Sequence, residues 1–409
     1  MPNSVPNPKK SENRYFRFHF LSIVFCFWFS TFIYIPTFGI YLNLLDIGYY
    51  ASGVIMGSYG IMQILIRLPI GIIADKYKIS ARLLVFIGFL ASFISAVLLA
   101  LTGDFMTIFF GRFLAGVTAA MWVVLTIWYS SSFDGKESLK AMGQLQSTTV
   151  GSQLIGMSIS GWIANHLGFE SLFWIGALFA LAGLVLVFTI SEQDSGKGLQ
   201  KVAKNKKNII RNVIREKKLW ALSLLSLLAH AVLFSTIFGF SPLYFDELTG
   251  GSLNIVLIVV SFMLPHTLAS SILTLKKGVF SGSFHMLAIC FTVGTICLLA
   301  AGVTDYWIAY CFLHAMLGFS LGLIFPVLLD QVYKINHIPA PKTVMGFYQS
   351  IYSIGIVAGP MLAGYASKRA GVESVFIMAA VFLFIGVIIS IIETKKQTKN
   401  TFALERDIS

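Results

Sequence analysis

Charge is what this sequence has least of. Only 12% of its 409 residues are Asp, Glu, Lys or Arg, against 56% that are apolar, and 36 are phenylalanine. That balance excludes a soluble domain, whose surface needs far more polar cover. Cysteine is scarce as well. Cys26, Cys290, Cys297 and Cys311 all fall in apolar runs, at spacings that fit neither a disulfide framework nor a metal site. They read as small packing residues. The chain also lacks a nucleotide-binding loop, and no nucleophile stands at a telling distance from a base. Neither an enzyme, nor a cofactor, nor a bound metal is therefore expected. Alternating ten-residue segments are missing too, which excludes a membrane β-barrel.

What the chain has instead is long apolar runs, such as residues 21–42, 83–101 and 172–190. About 20 apolar residues cross a bilayer as a helix, because a helix satisfies every backbone polar group from within. Twelve spans are expected, near residues 18–42, 49–73, 83–102, 105–130, 141–165, 171–191, 219–244, 253–275, 286–303, 306–329, 343–366 and 374–392. No Asp or Glu lies within any of them.

The net charge of +12 invites a nucleic-acid reading, but its placement excludes one. With both termini inside, 26 of the 30 Lys and Arg residues fall on the cytoplasmic side. Outer loops hold only Lys368 and Arg369. This asymmetry marks a multi-pass protein of the cell membrane with both termini cytoplasmic. Its partners are then the lipid bilayer and a small molecule, and a monomer is expected. The first 17 residues lack the pattern of a cleaved signal and read as a short disordered tail.

The stretch "GFESLF" at residues 168–173 returns as "GVESVF" at 371–376, 203 residues later. At the same offset Met142, Gly143, Gln146, Ser147, Gly156 and Gly161 meet Met345, Gly346, Gln349, Ser350, Gly359 and Gly364. Chance apolar similarity does not align glycines, glutamines and acids together. The fold expected is an all-α membrane protein of twelve transmembrane helices in two pseudo-symmetric six-helix bundles. Its parts are a tail (1–17), a first bundle (18–191), a basic linker (192–218), a second bundle (219–392) and a second tail (393–409). Parallel repeats of this kind build transporters, with the binding site between halves that rock around it.

Twelve spans in two repeats, with a long central cytoplasmic loop, resemble the major facilitator superfamily. After span 2, "RLPIGIIADKYKISAR" resembles its first-loop signature through Gly71, Asp75, Lys76, Lys78 and Arg82. Lys78 replaces the usual second glycine, and Ile79-Ser80 a basic pair. The physics suits a gate: Gly71 admits a neighbouring helix closely. Asp75 can sit at the positive N-terminal end of span 11, near Lys342 and Thr343, and pair with Arg82. In span 4, "GRFLAGVTAA" resembles a second signature through Arg112, Gly116 and Ala120. In span 11, "GIVAGPMLAG" resembles the antiporter motif through Gly355, Gly359, Pro360 and Gly364. That motif normally sits in span 5, where Met157 stands in place of the proline. The resemblance implies alternating access, an outer scaffold of spans 3, 6, 9 and 12, and a cavity lined by spans 1, 4, 7 and 10.

Polar residues in a membrane helix are expensive, so their positions are informative. The four scaffold spans hold no Gln, Asn, Arg or His. Elsewhere stand Gln63, Arg67, Arg112, Gln144, Gln146, Gln153, His230, His266, His314 and Gln349. Arg112 and His314 are repeat mates at a 202-residue offset and are expected to face the central cavity. Two readings of Arg112 stand: it awaits an anionic substrate group with His314 and His230, or it is structural, bonded to carbonyls and glutamines. Trp122 and Tyr34 are candidates for stacking on a substrate, and Gln146 and Gln349 for hydrogen-bonding it. A proton relay would fall to His230, His266 or His314, or otherwise to Asp75 or Asp330 at the cytoplasmic rim. His266, following Pro265, is expected to be packed and hydrogen-bonded. The function expected is proton-coupled export of a small organic molecule: an anionic or zwitterionic metabolite such as a metallophore, or an amphiphilic drug. The alternatives are proton-coupled uptake of an organic anion, and a receptor that does not transport.

Overall fold

Chains this apolar leave the backbone no polar partner but itself, and the result is helix nearly throughout. The computed structural model describes residues 8–77, 79–101, 103–133, 138–190, 206–250, 255–275, 284–335 and 337–408, and among them there is no strand. Ten passages are long and apolar enough to cross a membrane. Spans 1 to 4 are Tyr15–Leu44, Tyr49–Tyr77, Ala81–Leu101 and Phe105–Ser130. Spans 6 to 8 are Phe169–Thr189, Lys217–Thr249 and Ile255–Ile272. Spans 9, 10 and 12 are Phe284–Ala301, Trp307–Tyr333 and Ser374–Gln397.

The remaining two passages, span 5 (Ser138–Leu167) and span 11 (Pro341–Ala370), are 30 residues each, or about 45 Å. Their Gln, Ser and Gly content makes them too polar to count as membrane helices by composition. Packing resolves this. Each shows lipid only a narrow apolar stripe, Ile155, Ile159 and Trp162 on one and Ile354, Leu362 and Tyr365 on the other. Ser152, Gln153 and Ser160 on span 5, and Gln349, Ser350 and Ser353 on span 11, are buried against protein. These two helices are also the repeat mates that carry the clearest sequence match.

The ends differ from expectation. Helix begins at Pro8, so much of the segment expected as a disordered tail extends span 1. At the other end, helix runs from Ser374 to Ile408 and takes in the expected second tail. The linker contains a helix, Lys206–Arg215, and residues 191–205 lie outside the described part. Cys26, Cys290 and Cys297 are buried as free thiols and Cys311 is partly buried.

Three passages are broken. Span 1 changes from Pro8–Phe32 to Ile35–Leu44, with Pro36 in the first turn of the second piece. Span 7 passes from Lys217–Ser235 through a wide turn, Thr236–Phe240, into Ser241–Thr249 with Pro242 in its first turn. Proline supplies no N–H, so a new helix starts there readily. Span 4 breaks at Met121, between Phe105–Ala120 and Trp122–Ser130.

The repeat is visible in the packing. Gly116 on span 4 lies against the Tyr59 carbonyl of span 2, and Gly318 on span 10 lies against the Phe262 carbonyl of span 8. The two bundles meet along two seams of unequal character. Spans 2 and 11 touch backbone to backbone over their whole length. A Cβ on Gly364 would come 2.6 Å from the Tyr49 carbonyl, and one on Gly346 2.7 Å from that of Arg67. Gly71 lies against Lys342 in the same way near the end of span 2. At the other seam, Ser271 of span 8 donates to Ser147 of span 5 at 3.1 Å.

Gly53→Ala tests the close seam. Its Cβ would stand 2.6 Å from the Pro360 carbonyl, with only backbone to move aside. A loss of about 1–3 kcal/mol is expected, read as a lower thermal midpoint of the purified protein. Gly151→Ala, where nothing lies within 4 Å, is expected not to lower it.

Candidate functional site

A cavity lies between the bundles. Its wall is largely aromatic: Trp28, Phe32, Tyr59 and Trp122 from the first half, and Phe234, Phe238, Phe325, Tyr348 and Tyr352 from the second. Trp28 and Trp122 meet edge to face at 5.3 Å, as ring quadrupoles prefer. Arg67 is the one side chain of fixed charge on this wall among the described residues, and no carboxylate lines it.

Arg67 ties three helices together. Its Nη1 donates to Ser353 Oγ at 2.8 Å and to the Gln349 carbonyl at 3.2 Å, both on span 11. Its Nη2 donates to the Ala119 carbonyl at 3.1 Å, beside the break in span 4. The guanidinium also lies 4.7 Å from the centre of the Tyr352 ring, while Nε has no partner among the described residues. A guanidinium keeps its proton under all ordinary conditions, so these neutral acceptors hold a permanent charge.

Gln63 and His266 line the cavity as well. Gln63 donates from Nε2 to the Tyr59 carbonyl at 2.9 Å, which leaves its Oε1 without a partner. His266 sits between the rings of Phe262 and Phe325, and neither ring nitrogen has a hydrogen-bond partner among the described residues. The expectation that His266 is hydrogen-bonded is thereby corrected. Its neighbours are phenyl rings, which offer packing but no acceptor or donor of useful strength.

His230, Trp122 and Gln146 line the cavity. The His230 ring stacks on Tyr352 at 3.9 Å and nearly parallel, and its Nδ1 donates to the Ser226 carbonyl at 2.8 Å. Gln349 is fully buried; its carbonyl serves Arg67, and both ends of its side-chain amide lack partners among the described residues. Arg112, Tyr34 and His314 do not line the cavity. Arg112 donates to Tyr34 Oη at 2.8 Å and lies 4.7 Å from the Tyr59 ring, within the first bundle. His314 donates from Nδ1 to the Tyr310 carbonyl and accepts at Nε2 from Ser241 Oγ at 2.9 Å, within the second. Expecting both in the cavity was wrong for a geometric reason. Ten residues along a helix turn a side chain by about 80°, so Trp122 and Arg112 on span 4 face different neighbours. The polar inventory of span 2 had pointed to Gln63 and Arg67, but not to the side they face.

At the end of span 2, Asp75 Oδ2 accepts from Thr343 N at 2.8 Å and from Thr343 Oγ1 at 2.7 Å, where span 11 begins. The unpaired amides of a helix start make this a favourable place for a carboxylate. Arg82 does not pair with Asp75 as expected; it donates to the Ile190 carbonyl. Lys76 is exposed and turns to Tyr77, away from this contact. Lys78 lies outside the described residues. Gly359 packs against Ala231 of span 7, and the Pro360 carbonyl faces Gly53. At the start of span 2, Tyr49 Oη donates to Glu247 at 3.1 Å, so polar contacts join the bundles at both ends.

Comparison with known proteins follows the same lines. The sequence profile of the Major Facilitator Superfamily matches residues 20–336 and 284–407. Over 278 residues, 65% of this chain, the sequence is 27% identical to the multi-drug resistance efflux pump PmrA homolog of Lactococcus lactis subsp. lactis (strain IL1403). The match spans 66% of that pump's length, just under two thirds. Over 368 residues it is 23% identical to the inner membrane transport protein YajR of Escherichia coli (strain K12), covering 87% of this chain and 77% of that one. The structure of the human organic anion transporter MFSD10 (TETRAN) superposes with a TM-score of 0.72 at 14% identity, covering 92% of this chain and 99% of that one.

Asp75→Ala removes both contacts to Thr343. A cysteine placed at Gln146 is then expected to react several times faster with an impermeant thiol reagent supplied from the side of the membrane where Asp75 lies, and no faster from the opposite side.

Proposed function

The chain belongs to the major facilitator superfamily and is a membrane transporter, and on that premise we propose that it exports small aromatic molecules bearing a negative charge. The observation that carries this reading is Arg67: a fixed positive charge on the cavity wall with no carboxylate beside it among the described residues. A charge held only by neutral acceptors at low dielectric favours an anionic partner and repels a cation. The aromatic wall suits a planar, amphipathic body. Anionic and zwitterionic metabolites meet both conditions, a secreted metallophore among them, and so do amphiphilic drugs with an acidic group.

Direction rests on two supports. The motif of Gly355, Gly359, Pro360 and Gly364 resembles that of antiporters, and one of the relatives is named as an efflux pump. Protons are the driving ion in this proposal, with both termini in the cytoplasm. The bundles rock about the cavity, and Asp75 with Thr343 closes the inner end in the state described here.

Everted membrane vesicles test the proposal. On energisation they are expected to accumulate a fluorescent aromatic carboxylate, and Arg67→Gln to weaken its apparent affinity about tenfold, equivalent to about 1.4 kcal/mol. A strict preference for lipophilic cations, unaffected by Arg67→Gln, defeats it.

A further inference from the structure

The cavity holds a polar pair that the anion site leaves unused. Gln63 of span 2 and His266 of span 8 differ by the 203-residue repeat offset, so they enter the cavity from the two bundles at equivalent positions. The packing confirms the equivalence: four residues before each, the carbonyls of Tyr59 and Phe262 receive Gly116 and Gly318. Both side chains are buried, His266 to 2% exposure. Gln63 Oε1 and both nitrogens of His266 lack partners among the described residues. Of the histidines deep within the spans, His230 bonds through Nδ1 to Ser226, and His314 is engaged with Tyr310 and Ser241.

Native interiors rarely leave such groups unpaired, and a binding site is one reason for the exception. Gln63 Oε1 accepts only. A neutral imidazole offers one N–H and one lone pair. What Gln63 Oε1 and the lone pair of His266 lack, therefore, is a donor approaching from the cavity.

We propose that Gln63 and His266 together seat a hydrogen-bond-donating group of the ligand, an ammonium above all, while Arg67 takes its anionic group. The ligand class is then an aromatic zwitterion. This rests on the reading of Arg67 as the anion site. The lone pair of His266 also holds the exchanged proton, and it takes one partner at a time. Protonated, His266 becomes a donor at both nitrogens and adds a second positive charge to that of Arg67, so it rejects an ammonium. When the ligand's N–H arrives, the proton leaves to water; no covalent bond is made or broken elsewhere. Ligand and proton thus exclude each other at one atom, which exchange in opposite directions requires.

The surroundings leave this role to His266. Phe262 on its own span and Phe325 on span 10 are its ring neighbours. Span 5 presents the neutral Gln146, Thr149 and Gln153 to the same cavity. Across the cavity the charged group is Arg67, and the titratable ones are His230, Tyr59, Tyr348 and Tyr352. On span 10, Asp330 is bonded to Lys334, and on the last turns of span 7 Asp246 and Glu247 stand at the outer end.

The test uses the purified full chain in lipid nanodiscs with two tritiated probes, L-tryptophan and indole-3-propionate, which share a ring and a carboxylate but differ in the ammonium. Tryptophan is expected to bind more tightly, and to weaken by up to about tenfold per pH unit below the histidine's titration. Its binding is expected to release protons into a weakly buffered medium. His266→Phe should weaken tryptophan alone, and His266→Gln should restore affinity without the pH dependence or proton release. Equal binding of the two probes, unmoved by His266→Phe, overturns the seat and leaves the anion site standing. If indole-3-propionate does not bind, or binds equally well to Arg67→Gln, the anion reading falls and this proposal with it.

Discussion

A guanidinium buried midway along a membrane helix constrains everything near it. Arg67 has no carboxylate to meet it on the cavity wall, so it is held by two carbonyls and a hydroxyl drawn from spans 4 and 11. Its Nε has no partner among the described residues, and leaving Nη1 and Nη2 unmatched as well, in a medium without water, is costly. The break in span 4 beside Ala119 and the close approach of span 11 are therefore linked features. The helix break frees a carbonyl for Nη2, and the small residues of the seam bring Gln349 and Ser353 within reach of Nη1. Because the donors cross from one bundle to the other, the same contact fixes how the halves sit at mid-depth.

Arg112 shows the other solution to the same problem. It too lies inside the membrane without an acid, but it is enclosed by its own bundle, with Tyr34 Oη as acceptor and aromatic faces around it. Cation–π contact with several rings spreads the stabilisation over apolar surroundings. One arginine is thus part of the wall of a cavity and the other part of a core, although the sequence around Arg112 carries the more recognisable signature. His314 keeps to this pattern on the opposite side, bonded to Ser241 of span 7 as Arg112 is to Tyr34 of span 1.

Much of this was legible from residue order alone. Apolar runs located the spans, a 203-residue echo paired the halves, and a glycine followed by an aspartate located the contact between Asp75 and the start of span 11. What residue order did not convey was azimuth. A polar count says that span 2 carries Gln63 and Arg67; it does not say which neighbour they face, since that depends on how helices cross and where they break. The same limit misplaced Arg112 and His314, whose spans do reach the cavity, but with other residues. His266 was misjudged for another reason: a histidine inside a bundle ordinarily finds an acceptor, and here the flanking positions hold phenylalanines.

The seam between spans 2 and 11 has a mechanical meaning. Where side chains interdigitate, two helices can shift only by jumping from one set of rotamers to another. Along this seam Gly53, Gly57, Gly346 and Gly364 present bare backbone to backbone. Such a surface has few side chains to rearrange, so once the Arg67 and Asp75 contacts to span 11 are released it behaves as a bearing on which one half of the molecule can roll against the other with little friction.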